Sequence, residues 1–419
     1  MIGLRQKYPR STPLNIRATL ESEFESQGIL SRVKPGARIA IAAGSRGISN
    51  IQEIVGESIA ILKGAGAAPF VVPAMGSHGG ATSEGQAGVL AEYGITEAQV
   101  HAPIQASMEV ERLGVTEDGV DAFFSAEALR ADGVVVVNRI KPHTDFTGPI
   151  GSGILKMLVI GLGKRTGAAA FHAAASRLGY ERVIRSIARM ALKSAPILCG
   201  VGMVENQLHE TVRIAVLKPD EIERREEELF VDAKRLMPKL PFDEIDLLIV
   251  DRLGKNISGA GMDPNIIGRG FYGYSPKPHD KGLAGPSIRR IFVRDLTPET
   301  HGNAIGIGFA DFATTRLVRG IDHRITAVNA LTALTPHSAK VPIFFDTDRE
   351  AIHQALLSIA HPDMRNAKVI RIADTLSLGE LEVSAAYRDQ IKENADLEAV
   401  NGAGEMKFDA SENLLPLVI

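Results

Sequence analysis

Short β-branched or apolar runs recur along the chain, each closed by glycine, proline or a polar residue. Arg38 to Ala43, Phe70 to Pro73 and Val134 to Val137 are the sharpest in the first half. Ile245 to Val250, Ile291 to Val293, Val341 to Phe345 and Val369 to Ile372 follow in the second. Runs of this length without alternation predict strands buried on both faces, as in a parallel sheet. Between them lie stretches with helical spacing. Ile51, Ile54, Val55, Ile59 and Leu62 form one stripe, which predicts an amphipathic helix from Asn50 to Lys63. Strand, glycine loop, helix, strand, glycine loop is a βαβ unit, and its crossover puts both loops at one edge of the sheet. Arg46, in the loop Gly44 to Gly47, and His78, in Gly76 to Gly80, are therefore expected to face one crevice.

The stretch Gly133 to Ser176 concentrates the candidate chemistry. Its valine run enters a polar, glycine-rich loop with Lys141, His143 and Asp145, then Lys156. The apolar run Met157 to Ile160 reads as another strand, and a helix beginning near Thr166 carries His172. Ligands of open α/β sheets bind at the carboxyl ends of the strands. Residues 84 to 130 read as a smaller α+β insertion. A helix from Tyr180 to Lys193 has arginines at 182, 185 and 189 that are expected to be solvated. Residues 197 to 217 give two strands, and Pro219 to Met237 a charged helix. Pro238 and Pro241 break both helix and strand, so the expected domains are 1–240 and 241–419. Helices are expected at Phe309 to Arg319, Ile325 to Ala333 and Arg349 to Ser358. The fold class is α/β: two domains with parallel-rich sheets and an active-site cleft between them.

Composition narrows the function. A net charge of −3, aromatics at 5% and no tryptophan give neither a basic footprint nor stacking platforms for nucleic acid. No apolar run approaches the roughly 20 residues that span a bilayer, and the N-terminus shows no signal-peptide pattern. The single cysteine, Cys199, sits among apolar residues. It cannot form an intrachain disulfide, which suits a cytoplasmic enzyme.

The glycine loops give only a weak dinucleotide fingerprint, and glycines at strand ends more often simply make turns. After Gly161 and Gly163 the third glycine falls at Gly167, one place late for G-x-G-x-x-G, and no P-loop pattern occurs. His78, among serine and glycines, suits an acid/base position, or a loop histidine bonded to backbone. His143, two residues before Asp145, could be oriented by that carboxylate or could simply share its turn. His172, among alanines, is either a metal ligand or a packed core residue; no H-E-x-x-H or C-x-x-C accompanies it. Lys156 lies inside an apolar stretch, where desolvation would make it a nucleophile able to hold a cofactor covalently, unless it snorkels to solvent. Lys164 and Arg165, before a helix N-terminus, could bind phosphate.

The order GSRG, GSHGG, buried strand, KPH, glycine loop with one lysine, helical histidine resembles the nickel-dependent lactate racemase family. That resemblance implies a nickel-pincer nucleotide attached covalently at Lys156, with His172 as the nickel ligand and 16 residues between them. It implies His78 and His143 as the acid/base pair, Arg46 as the pocket arginine and a 2-hydroxy acid as substrate. Departures mark a divergent member. Ala43 replaces an aspartate, and the run from His143 to Lys156 is about three residues longer than in the family. Asp263-Pro264-Asn265 keeps a D-x-N pattern, but the family's glutamine and lysine places fall on Gly268 and Phe271. Arg269 is a candidate replacement cation. These changes leave open a non-nickel hydrolase, lyase or dehydrogenase acting on a small carboxylate, or a binding protein for an acidic metabolite.

Overall fold

The structure, a computed structural model, describes residues 1–44, 47–144, 146–270 and 285–418. The fold is α/β. The chain divides into two compact units: Ser11–Met237, and Pro238 onward together with Met1–Arg10. The first ten residues thus leave the N-terminal domain expected for them. The strand Ile2–Gln6 pairs antiparallel with Glu380–Val383 and Leu397–Ala399, and Leu4 is fully buried there.

In the unit Ser11–Met237 the sheet has five strands. Their spatial order is Ala68–Pro73, Arg38–Ala43, Gly133–Arg139, Ile197–Glu205, Thr211–Leu217. The first four are parallel and the last is antiparallel. Residues Ala40 to Ala43 and Val134 to Val137 are fully buried, which is why these strands read as unbroken apolar runs. The helix Ile51–Gly64 buries the predicted stripe of Ile51, Ile54, Val55, Ile59 and Leu62. From Arg38–Ala43 the chain passes to a neighbour on one side, then returns to Gly133–Arg139 on the other. The carboxyl ends of these two strands form a topological switch point, the usual ligand crevice of open α/β sheets. Residues 84 to 130 hold the helix Ser83–Glu92 and the hairpin Val110–Val115/Asp121–Ser125.

Two sequence expectations for this unit fail. Met157–Gly161 is not a strand but a π-helical turn that follows the helical turn Ile154–Lys156, with Leu162 N–H donating to Met157 O at 2.8 Å. A run of four apolar residues cannot distinguish a buried strand from a buried helix. The helix after it is Lys164–Leu178. The arginines of the helix Tyr180–Ser194 are not simply solvated either. Arg185 is ion-paired with Glu181, Glu223 and Glu227, and Arg189 with Glu223.

The second unit has an eight-stranded sheet. Its order is Ile343–Phe345, Phe312–Thr314, Ser287–Leu296, Glu244–Leu253, Val369–Ile372, Glu380–Val383, Ile2–Gln6, Leu397–Ala399. The first five strands are parallel. The helix expected from Phe309 to Arg319 is split. Phe312–Thr314 pairs in register with Phe292 and Val293, and only Thr315–Arg319 is helical, capped by Thr314 Oγ1. Three buried residues are too few to show a period. No helix among the described residues is long and apolar enough to cross a membrane.

Candidate active site

Two loops leave the switch point and a third leaves the adjacent strand Ala68–Pro73, and each carries an expected site residue. The loop after Arg38–Ala43 holds Arg46, which lies outside the described residues, as does Asp145. The loop after Gly133–Arg139 carries His143. It is closed at its base by Lys141 and Ser152, whose backbones exchange hydrogen bonds of 2.9 and 2.8 Å. Gly151 allows that closure: a Cβ there would lie 2.3 Å from Lys141 O. The chain then turns directly into the helical segment bearing Lys156. Closing the loop folds back the long run from His143 to Lys156. Lys156 Nζ ends 3.0 Å from His143 Nε2 and donates to Ser152 Oγ at 3.3 Å.

His143 is 9% exposed. Its ring lies 4.8 Å from Phe146 and 4.9 Å from Tyr180, which stack on each other at 3.6 Å. Tyr180 meets Phe171 edge-on at 4.8 Å, and Phe171 meets His172 at 5.3 Å. A continuous aromatic wall thus joins the two histidines. Burial lowers the His172 pKa to about 4, and the positive charge of Lys156 adds to the effect. The imidazole is therefore neutral at physiological pH, the form that binds metals.

The loop with His78 is fastened to the segment between Lys156 and His172. Gly76 N–H donates to Gly161 O at 3.2 Å. A Cβ on Gly161 would sit 2.7 Å from Ala74 O, so glycine permits the contact. Gln86, itself buried, donates from Nε2 to Gly76 O at 2.8 Å and to His78 O at 3.3 Å. Its Oε1 accepts from Lys164 Nζ at 3.1 Å, and Lys164 also donates to Pro73 O. Lys164 is fully buried. It is thus a strut under the His78 loop, not the exposed phosphate ligand expected for it. Its φ of +55° is the left-handed conformation, tolerated because the surrounding bonds fix it.

Burial lowers the Lys164 pKa from 10.5 to about 8. A lysine with a depressed folded pKa binds its proton less well folded than unfolded. The folded state should therefore gain stability as pH rises from about 8 toward 10.5 and show no such gain below that window. The gain is at most about 3 kcal/mol, since the two acceptors favour the charged form. Urea denaturation across this window should show the rise in the native chain and not in Lys164→Met; equal slopes would remove the assignment.

Two readings of the second unit change. Gly268 has φ +64° and a Cβ there would lie 2.4 Å from Pro286 O, so this position takes no side chain. Arg269 bonds Phe309 O at 2.6 Å and Asp311 Oδ2 at 2.8 Å. It clamps its own unit and is not a free pocket cation. Phe271 lies outside the described residues. A cavity of about 450 Å³ in this unit is lined by three arginines (252, 294 and 316) and three aspartates (251, 295 and 409). This balance of charge favours no anion.

Residues 5–181 match the family model described as the lactate racemase N-terminal domain. Residues 5–181 thus carry a lactate racemase N-terminal domain. Among solved structures it is similar to the lactate racemase apoprotein from Thermoanaerobacterium thermosaccharolyticum. Identity there is 15% and the TM-score 0.51, over 90% of this chain and 93% of that one. A structural-genomics protein from Thermotoga maritima aligns at 12% identity and TM-score 0.49, over 79% of this chain and 83% of that one. No curated protein matches the chain. The family match spans the switch point, the His78 loop, the His143 loop, Lys156 and His172.

Proposed function

We propose that this protein is a member of the lactate racemase family and an isomerase, a racemase or epimerase of a 2-hydroxy acid that uses a nickel-pincer nucleotide attached at Lys156. The observation that carries the reading is that Lys156 lies beside His143 and that one aromatic wall runs from His143 to His172. Among the described residues no group of three or more His, Cys, Asp or Glu could hold a metal. One neutral imidazole, His172, within the electrostatic reach of one amine, Lys156, fits a metal that brings its other donors with it, and does not fit a bare ion.

In this reading Lys156 is the covalent anchor and His172 the protein's donor to nickel. When bound, the group supplies an acceptor for the hydrogen on the hydroxyl-bearing carbon, so no carbanion is needed. His78 and His143 hold and return the hydroxyl proton, one for each enantiomer. Arg46 grips the substrate carboxylate. Lys164 and Gln86 fix the backbone under His78. A cytoplasmic setting suits the buried Cys199, whose thiol pKa is pushed far up by burial.

Protein co-expressed with the proteins that make the cofactor should carry an adduct on Lys156 and co-purify with nickel. Epimerisation of 2-hydroxy acids and aldonates in heavy water should then return the original hydrogen to carbon. Deuterium at that carbon would replace this mechanism with proton abstraction. Turnover without nickel that is lost in His78→Ala would support the non-nickel enzyme, a reading favoured by Gly268 and Arg269, neither of which offers a pocket group.

A further inference from the structure

The helix Ile222–Arg235 has a glutamate where its apolar stripe calls for a hydrophobe. Its buried residues are Ile222, Glu226, Leu229, Phe230 and Ala233, the i, i+4, i+7, i+8, i+11 spacing of one face. The neighbouring acids Glu223 and Glu227 turn outward to Arg185 and Arg189. Glu226 is fully buried and its Oε1 has no hydrogen-bond partner. Burying a carboxyl group this way is costly, and packing does not require it.

Glu226 points to the turn that presents Lys156. Its Oε2 accepts from Leu155 N–H at 2.9 Å, and the amide of Ile154 also favours the ionised form. These amides open the helical turn Ile154–Lys156 and have no carbonyl of their own turn to bond. On the other side of the turn, Asn138 at the end of Gly133–Arg139 donates to Gly153 O at 3.0 Å. Gly153 lets the carboxyl approach: a Cβ there would lie 2.2 Å from Glu226 Oε1. Phe230, one turn along the same helix, packs on Gly151, where a Cβ would be 2.6 Å from the ring. The helix Ile222–Arg235 is therefore a floor under residues 151 to 156, and Glu226 is its polar peg.

We infer that Glu226 is a positioning residue for Lys156: by capping the amides of residues 154 and 155 it fixes the direction in which the anchoring amine leaves the chain. The consequence for cofactor attachment rests on the function proposed above; the effect on the amine does not. Burial raises the Glu226 pKa to about 7, so the cap exists in both charge states near neutrality. Glutamine keeps the acceptor and the shape in either state.

The test is competitive acetylation of the full-length protein with acetic anhydride, read by mass spectrometry as the ratio of Lys156 to the exposed Lys193. Glu226→Leu should shift that ratio by about fivefold or more, the scale of one lost charge-assisted hydrogen bond, and Glu226→Gln should stay within about twofold of native. Gly153→Ala reaches the same contact from the other side and should reproduce the leucine result, which covers the case in which Glu226→Leu does not fold. A folded Glu226→Leu with a native ratio would overturn the inference, as would a glutamine variant as disturbed as the leucine one. Co-expression with the cofactor proteins separates the two claims. No adduct on native Lys156 with the labelling shift intact removes the proposed function alone. Full adduct formation in folded Glu226→Leu removes the positioning role alone.

Discussion

Lys156→Met is expected to lose covalent adduct, nickel and turnover together, with turnover below about a thousandth of native, the scale seen when a group that acts as a unit with others is removed. His172→Ala should behave differently. Its anchor is intact, so the adduct mass should remain on Lys156 while nickel is lost. This split follows from the geometry. Lys156 contacts His143 and Ser152, whereas His172 lies on another helix, beyond Phe171 and Tyr180. Intact-mass measurement and metal analysis on the same samples check both variants. Nickel retained at native stoichiometry in Lys156→Met would end the anchoring role, and an adduct lost in His172→Ala would mean that the imidazole is needed to attach the group at all. His143→Ala gives the control. It removes the neighbour of the amine at 3.0 Å and should lower turnover by about 10²–10⁴ with adduct and nickel kept.

Much of this arrangement is legible in the sequence because it depends on backbone topology. Unbroken valine and alanine runs read as strands buried on both faces, and glycines at their ends mark the loops. From these alone the loops after Arg38–Ala43, Ala68–Pro73 and Gly133–Arg139 come to one edge of the sheet, and His78 and His143 with them. The side-chain network was harder to read. Lys164 looks like a surface cation because it follows two glycines and precedes a helix. Only the fold shows that Pro73 O and Gln86 wait for it inside. Gln86 has no motif of its own. Met157–Ile160 reads as a strand because four apolar residues satisfy a strand and a helix equally, and the three-residue strand Phe312–Thr314 stays hidden for a similar reason. Glu226 did leave a signal, since it breaks the apolar stripe of an otherwise regular amphipathic helix. Its charged neighbours mask that signal in any reading based on composition.

Asp348→Ala is expected to destabilise the C-terminal unit by about 3–5 kcal/mol, the cost of leaving buried charges without their partner. Asp348 is fully buried. Its carboxylate accepts from Arg294 at 2.7 Å, Arg316 at 2.6 Å and Leu414 N–H at 2.9 Å. These two arginines and a third hold residues 413 to 415: Arg294 donates to Leu414 O, Arg316 to Asn413 Oδ1, and Arg371 to Leu415 O, each at 2.7 Å. Arg371 is in turn paired with Asp251 at 2.8 Å and Glu382 at 3.1 Å. Residues 413 to 415 are thus strapped across the carboxyl ends of Glu244–Leu253 and Ser287–Leu296 by a network in which Asp348 is the shared acceptor. Exposed ion pairs contribute little, but Arg294 and Asp251 are each only 11% exposed at the side chain, so solvent cannot replace the missing carboxylate. Urea denaturation gives the size of the loss, and hydrogen exchange gives its location. Residues 409 to 417 should lose protection first, before the central strands of the sheet. A loss under about 1 kcal/mol with the tail still protected would mean that the arginines find other partners and that the network is redundant.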